Sequence, residues 1–404
     1  MVQLVNHSFC TGRWLLAVGL VVSGHLAFAQ ARFEPARDQV VLASSVHASA
    51  SIRSLRDLDE ARRARPDDLQ AAVDYARAVF ELGLTEGDLR WWGRARAALA
   101  PWWSKPELSA EGHFTRALVL QGFHEFEPAL QDLGRALSLQ PERAEFWSWR
   151  FALRLLLADM TGAKQDCESL AQRVAQWEAQ PCRAILLYRT GQPLKAIELL
   201  AQSVQHPQFR GPLAQDWLRF HWGHAHRVAG QTQQALGIWQ AHLKERPQAH
   251  GVRLALAELL NEVGQHAQAL QIARQDNPSD ALLVQQLLAS QGLKDGNTAA
   301  LAQRVLARFD SQDLRRESLI ERPRMIFLIR YGHDTKAGLA LAEKNWAQQK
   351  EPVDGLLFLE AALKLGQPRR AQAVLDWAAT TGYSEPDLQT LIGRARAHPN
   401  WGSR

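Results

Sequence analysis

The sequence is poor in residues that build β-sheets, and it lacks the short motifs that mark common catalytic sites. Val, Ile and Thr are sparse, and only four tyrosines occur among 404 residues, which argues against a large sheet. There is no G-x-S-x-G, no phosphate-binding loop, no H-E-x-x-H and no Gly-rich dinucleotide turn. We therefore expect a protein that is not an enzyme and that needs no cofactor.

The charge distribution gives no indication of nucleic-acid binding. The formal net charge is only +5, and basic and acidic residues are interleaved along the chain. A nucleic-acid-binding protein should show a basic stripe or a known module, and neither is present. The hydrophobic fraction of 46% is enough for a packed core, and the abundant Ala, Leu, Gln, Arg and Glu all favour helices. No apolar run after the N-terminal region reaches about 18 residues, so we expect no transmembrane segment in the mature chain.

The N-terminal residues have the three zones of a signal peptide. Arg13 is the single charge before an apolar run at Trp14–Val22, and Ala27-Phe28-Ala29 supplies the small-x-small cleavage pattern. We predict a signal peptide at 1–29, cleaved after Ala29, and a periplasmic or otherwise exported protein. The alternative is an uncleaved N-terminal anchor, although the apolar run is short for a membrane span.

A repeated small residue is the strongest internal signal. An alanine opens a second helix just after a Gly-containing turn, and the steps between these alanines are 34, 33, 39, 34, 68 and 34 residues. The alanines are Ala129, Ala163, Ala196, Ala235, Ala269, Ala337 and Ala371. The step of 68 is two periods, with a degenerate unit around 281–309 between them. Such a period is typical of stacked helical hairpins.

The spacing has a physical explanation in the crossing of antiparallel helices. Two helices approach closely only where small residues meet, as we expect for Ala257 with Ala269. Larger residues such as Trp239 fill the space beside the crossing. A glycine turns the chain, and a proline such as Pro247 ends the second helix because it lacks an N–H group.

Over residues 67–384 these units resemble the tetratricopeptide repeat family. The resemblance implies an all-α, right-handed α-solenoid of about nine helical hairpins with terminal capping helices. Glu86-Gly87-Asp88, Ala97–Trp102, Asn345-Trp346 and Glu351-Pro352 resemble phrases of an exported bacterial group of these proteins. That second resemblance implies no particular activity.

Both ends of the chain differ from the repeats. We predict an extended segment and a capping helix within 30–66, the helix covering Ile52–Arg65 and ending at Pro66. A second capping helix and a tail are predicted within 385–404, with the helix at Asp387–His398. Such caps keep a solenoid soluble by covering its terminal apolar surfaces.

Two cysteines follow the predicted signal peptide, Cys167 and Cys182. The first lies in the second helix of one unit and the other in the first helix of the next, so their Cα atoms could approach to about 6 Å. An oxidising compartment then favours a disulfide. The alternative is two buried thiols that act as small apolar residues.

The histidines and tryptophans are the only residues that suggest chemistry. His221, His224 and His226 share one helix, and His242 could reach them, but no carboxylate stands out as a further ligand. We therefore expect a groove lining or ordinary histidines, and no metal. The 14 tryptophans could anchor ligands, but in helical repeats they more often fill the core.

A solenoid of this kind offers a concave surface lined by its first helices. The expected groove residues combine aromatic and charged groups: Tyr188, Arg189, Trp217, Phe220, His224, Arg227, Leu254, Glu258 and Asn261. We predict an exported scaffold or adaptor that binds a protein or peptide partner in the periplasm or cell envelope. The alternatives are an accessory protein that binds envelope polysaccharide or peptidoglycan, and a metal-dependent enzyme.

Overall fold

The computed structural model describes residues 50–86, 90–275, 278–314 and 321–401. The predicted signal peptide and its cleavage point lie outside these residues. The described residues contain twenty α-helices and no strand. The helices are α1 (Ala50–Ala64), α2 (Leu69–Glu86), α3 (Arg90–Ala98), α4 (Ala110–Gly122), α5 (Phe126–Leu139), α6 (Ala144–Leu156), α7 (Met160–Ala171), α8 (Gln176–Arg189), α9 (Pro193–Gln205), α10 (Pro212–Val228), α11 (Thr232–Glu245), α12 (His250–Glu262), α13 (His266–Ala273), α14 (Asp280–Leu293), α15 (Thr298–Leu314), α16 (Glu321–Ile326), α17 (Thr335–Gln348), α18 (Pro352–Lys364), α19 (Gln372–Thr381) and α20 (Pro386–Ala397).

The helices from α2 to α19 pair as nine successive hairpins within the described part of the chain, with α1 and α20 at the two ends. From α8 onward, each first helix also contacts the first helix of the next hairpin. The first helices therefore line one face of the solenoid, here called the inner face. The predicted all-α solenoid is confirmed.

The turn inside most hairpins contains one residue in the left-handed region. Glycine holds this position in five hairpins, for example Gly191 with a φ of 80°, because it has no Cβ to clash there. His124, Ala158 and Lys294 hold it in three others, with φ between 54° and 62°. These three residues explain why the glycine spacing weakens in their units.

The helix crossings contain the predicted small residues, with one exception. Six of the seven repeating alanines are fully buried, and Ala257 is buried with them. Ala337, however, is exposed, and its neighbour Gly338 occupies the crossing instead. A Cβ on Gly338 would lie 2.5 Å from Cγ1 of Ile329, so helix contact at this point requires glycine. The prediction for Ala337 was wrong by one residue.

Tryptophan side chains fill the space beside the crossings, as expected. Trp239 is fully buried. Its indole packs so closely against Gly223 that a Cβ added to that glycine would lie 2.1 Å from the indole Nε1. Trp92 packs in the same way between Gly83 and Gly122. Tryptophan in this protein therefore contributes mainly to packing between helices.

The C-terminal hairpins pack against the middle of the chain. Buried residues of α6, α8 and α10 form one continuous core with buried residues of α14 to α20. The backbone N–H of Lys350 donates to the carbonyl oxygen of Leu156 at 2.7 Å. A Cβ on Gly191 would lie 2.4 Å from the carbonyl oxygen of Gly382. The solenoid therefore curls far enough for its later units to cover the inner face of the earlier ones.

No helix among the described residues is both long and apolar enough to cross a bilayer.

Cys167 and Cys182 form a disulfide between α7 and α8. Their Cα atoms are 5.9 Å apart, and both side chains are buried in the shared core. The bond joins the third hairpin to the fourth. Its second cysteine, Cys182, lies on α8, the helix that also carries Tyr188 and Arg189.

We expect the protein that begins at Gln30 to show no reactive thiol when it is unfolded without reductant. Replacing both cysteines with alanine should lower the free energy of unfolding by about 3 kcal/mol, because the bond closes a loop of 15 residues. Thiol titration and urea denaturation measure these two outcomes. The same protein with reductant is the control and should show two thiols, whereas two thiols without reductant would contradict the bond.

Candidate functional site

The candidate site is the inner face of α8, α10 and α12, where the sequence placed its groove residues. The first helices of successive hairpins contact one another. The Tyr188 hydroxyl and Nδ1 of His221 are hydrogen-bonded at 2.8 Å. The Asn261 side chain donates to both oxygens of Gln285, at 2.9 and 3.0 Å. These bonds tie neighbouring first helices together across the inner face.

Three of the expected groove residues are buried and do not face an open groove. Arg189 is 1% exposed, Tyr188 4% and Arg227 9%. Arg189 donates to the carbonyl oxygens of Leu155 and Lys350 at 3.3 and 3.4 Å, and it lies 3.5 Å from Glu351. The C-terminal hairpins cover this part of the inner face, so Arg189 stabilises the closure.

Arg227 links the inner face to the segment before α20. It contacts Glu385 at 2.6 Å and Glu262 at 3.1 Å. Glu385 also accepts a hydrogen bond from the hydroxyl of Tyr383 at 2.7 Å. Burial disfavours the charged arginine, but Glu262 and Glu385 outweigh burial and raise the pKa of Arg227. Arg227 is therefore a permanent cation at the centre of this contact.

Glu262 also reaches the C-terminal units through a second arginine. Arg330 lies 3.0 Å from Glu262 and 2.8 Å from Glu360. Although burial opposes ionisation, Arg227 and Arg330 hold the pKa of Glu262 below its usual range. The carboxylate is thus shared by two cations that come from different parts of the chain.

His224 and Glu258 lie one helical turn before Arg227 and Glu262, respectively. Arg227 and Glu262 are paired across α10 and α12, so His224 and Glu258 lie at equivalent positions on these neighbouring helices, one turn before that pair. Both side chains keep some solvent-accessible surface. Neither has a hydrogen bond or ion pair with another described residue. His224 instead contacts the ring of Phe220, with centroids 4.4 Å apart.

The ionisation of these two side chains reflects their enclosure. Burial, with a smaller effect of Arg227, lowers the pKa of His224 to about 3. Burial, and then the neighbouring charge of Glu262, raises the pKa of Glu258. His224 is therefore neutral at pH 7, and Glu258 is a carboxyl group without a compensating partner.

Arg322 at the start of α16 is electrostatically coupled to Glu258. Its guanidinium group contacts Asp354 at 2.6 and 3.0 Å. Its side chain is 34% exposed, and its positive charge opposes the effect of burial on the pKa of Glu258. We call the group of residues His224, Arg227, Glu258, Glu262, Arg322 and Arg330 the inner chamber.

The structure separates the histidines that the sequence grouped. His221 bonds to Tyr188, His226 to Gln231 at 2.6 Å, and His242 to Asp216 at 2.7 Å. In the described ranges, no group of three His, Cys, Asp or Glu side chains lies close enough together to hold a metal ion. Each histidine therefore has its own structural neighbour.

Glu262, Arg322 and Arg330 of the inner chamber were missed by the sequence analysis. Arg322 and Arg330, with the acids Glu351, Asp354 and Glu385 around them, lie 60 or more residues beyond the expected groove residues. Their repeat positions do not identify them, because the closure brings together units that are not adjacent.

Similarity to known proteins is confined to the fold. No family model and no curated protein sequence matches this chain. A Rap protein solved in complex with Competence and Sporulation Factor is 12% identical, with a TM-score of 0.55, and the match covers 86% of this chain and 94% of that one. PilW, a type IV pilus biogenesis factor, gives 15% identity and a TM-score of 0.41 over 50% of this chain and 94% of its own. A tetratricopeptide repeat protein from Parabacteroides merdae is 16% identical, with a TM-score of 0.39, and the match covers 61% of this chain and 97% of that one. By fold, this chain is an all-α solenoid of helical hairpins similar to that of the Rap protein.

Proposed function

We propose that the protein is an exported scaffold that binds a segment of a partner protein on the inner face of α10 and α12. This proposal rests on the solvent exposure and the missing polar partners of side chains on these two helices, namely Phe220, His224, Leu254 and Glu258. These side chains keep accessible surface inside the curled solenoid, and His224 and Glu258 have no polar partner among the described residues. A bound segment would cover the apolar side chains of Phe220 and Leu254 and would give His224 and Glu258 hydrogen-bond partners.

The mixed character of this surface suits a polypeptide. Phe220 on α10 and Leu254 on α12 offer apolar contact one repeat apart, while Glu258 on α12 offers a polar group. Helical solenoids use such concave surfaces to bind extended segments. The Rap protein of similar fold was solved with a bound factor, which illustrates one use of the architecture.

Export is supported by two features that are independent of the binding surface. The N-terminal pattern ends at Ala29, and the disulfide between Cys167 and Cys182 is typical of an oxidising compartment. Mass spectrometry of the mature protein should place its N-terminus at Gln30. An intact N-terminus would favour the alternative of an uncleaved anchor.

Site-specific photocrosslinking tests the binding surface. A photoreactive residue at Leu254, on the inner face, should yield a discrete adduct in cells that produce the protein. The matched control is Gln234, which is exposed on the second helix α11 and should yield none. Equal adducts from both positions would contradict binding at the inner face, and the absence of any adduct would contradict a stable partner.

A further inference from the structure

The charges of the inner chamber are not balanced. Among the described residues, four arginines meet seven carboxyl groups in the inner chamber and immediately around it. The arginines are Arg189, Arg227, Arg322 and Arg330, and the acids are Glu258, Glu262, Glu351, Asp354, Glu360, Glu385 and Asp387. Every one of these arginines already has a carboxylate partner within 3.5 Å. These arginines are therefore already committed to acids of the chain.

Glu258 is an acid that this network does not satisfy. Within the described part of the chain, no cationic group lies within 4.0 Å of its carboxylate, although Arg227, Arg322 and Arg330 are near enough to influence its charge. These three arginines are held by Glu385, Asp354 and Glu360, respectively. Glu258 is thus a negative position without an ion pair, and the nearest cations are paired with other acids.

The neighbouring helix α10, which contacts α12, carries a row of aromatic side chains. On α10, Trp217, Phe220 and His224 follow one another at helical spacing, and Phe220 and His224 are partly exposed. His224 packs edge-on against both Phe220 and Trp239, with centroids 4.4 and 5.1 Å apart. Aromatic faces next to a carboxylate attract the stem and the charged head of a basic side chain.

We propose that the inner chamber selects a partner segment that carries an arginine or lysine side chain, and that Glu258 receives its cationic group. This inference rests on the proposed function, because it specifies the chemistry of the segment bound at the same face. The basic side chain passes along Phe220 and His224, and its head forms a charge-assisted pair with Glu258. One basic side chain would thus neutralise Glu258 and cover the exposed rings of Phe220 and His224.

The test uses two matched mixtures of blocked, fluorescently labelled peptides of randomised sequence. One mixture has arginine at a fixed central position, and the other has citrulline, which keeps the shape but has no charge. The full mature protein should bind the arginine mixture about tenfold more tightly, as expected for a charge-assisted pair. Fluorescence anisotropy measures the difference.

The variant Glu258→Gln should remove this preference while it leaves thermal unfolding unchanged or raises its midpoint, because it removes an unpaired charge. Glu198→Gln is the matched control, since Glu198 is exposed on α9 and the variant loses the same charge. Equal binding of both mixtures would overturn selection for a cation and would leave the scaffold proposal intact. A lowered unfolding midpoint for Glu258→Gln would overturn it too, because Glu258 would then have a structural role. If neither mixture binds, this inference fails, and the crosslinking at Leu254 decides the proposed function separately.

Discussion

Replacing Arg227 with methionine should lower the free energy of unfolding by about 3–5 kcal/mol, the usual cost of removing one partner from a buried ion pair. Arg227 joins Glu262 and Glu385 at 3.1 and 2.6 Å. Without it, Glu262 keeps Arg330 as a partner, but Glu385 keeps only the hydroxyl of Tyr383. Urea denaturation of the purified mature protein measures the loss.

The matched control for this variant is Arg370→Met. Arg370 also pairs with a glutamate, Glu343, but both side chains are more than one-third exposed, so its loss should cost less than about 1 kcal/mol. A double variant, Arg227→Met with Glu385→Gln, should recover part of the loss because it removes the unpaired buried charge. Equal costs for Arg227→Met and Arg370→Met would show that the closure does not depend on this contact.

Replacing Trp239 with alanine should also destabilise the protein by about 3–5 kcal/mol, as is usual for a large aromatic side chain in a packed core. Trp239 is fully buried, and its indole N–H donates to the carbonyl oxygen of Arg219 at 3.1 Å. Gly223→Ala should disturb the same contact from the other side. Its Cβ would lie between 2.1 and 2.7 Å from three indole atoms, so the indole must move.

Gly237→Ala provides the control in the same hairpin. Gly237 lies in α11, and a Cβ there would meet no atom within 4 Å. Alanine should therefore stabilise the helix by about 0.5–1 kcal/mol, because it reduces the backbone freedom of the unfolded chain. Thermal and urea unfolding of the three single variants give the comparison. A neutral Gly223→Ala variant would show that the helices do not cross as closely as the structure places them.

The repeats were predictable because their physics is local. A crossing between two helices of one hairpin needs small residues a fixed distance apart, and a turn needs a residue that tolerates a positive φ. Both requirements recur in the sequence, for example at Ala257 and Ala269 around Gly264. The error at Ala337 arose because Gly338, which also satisfies the crossing, follows it directly.

The candidate site was only partly predictable. The sequence placed His224, Arg227 and Glu258 on first helices, and the structure shows them on the inner face. It could not show that Tyr188 and Arg189 are buried beneath later hairpins. Their burial depends on the small rotation between successive units, which accumulates along the solenoid. The repeats are also interrupted by a short 3₁₀ helix at Pro207–Phe209 and a π-helical turn at Phe327–Tyr331.

By itself, the sequence determined that the chain is an all-helical solenoid of paired helices, because helix formation, crossing and turning depend on residues within one repeat. Only the tertiary structure decided that later hairpins cover part of the inner face. Pairs such as Arg227 with Glu385 are 158 residues apart, and contact at that separation depends on the summed geometry of every unit between them. For the same reason, the sequence identified Glu258 as a groove residue, whereas the structure identified it as the acid without a partner.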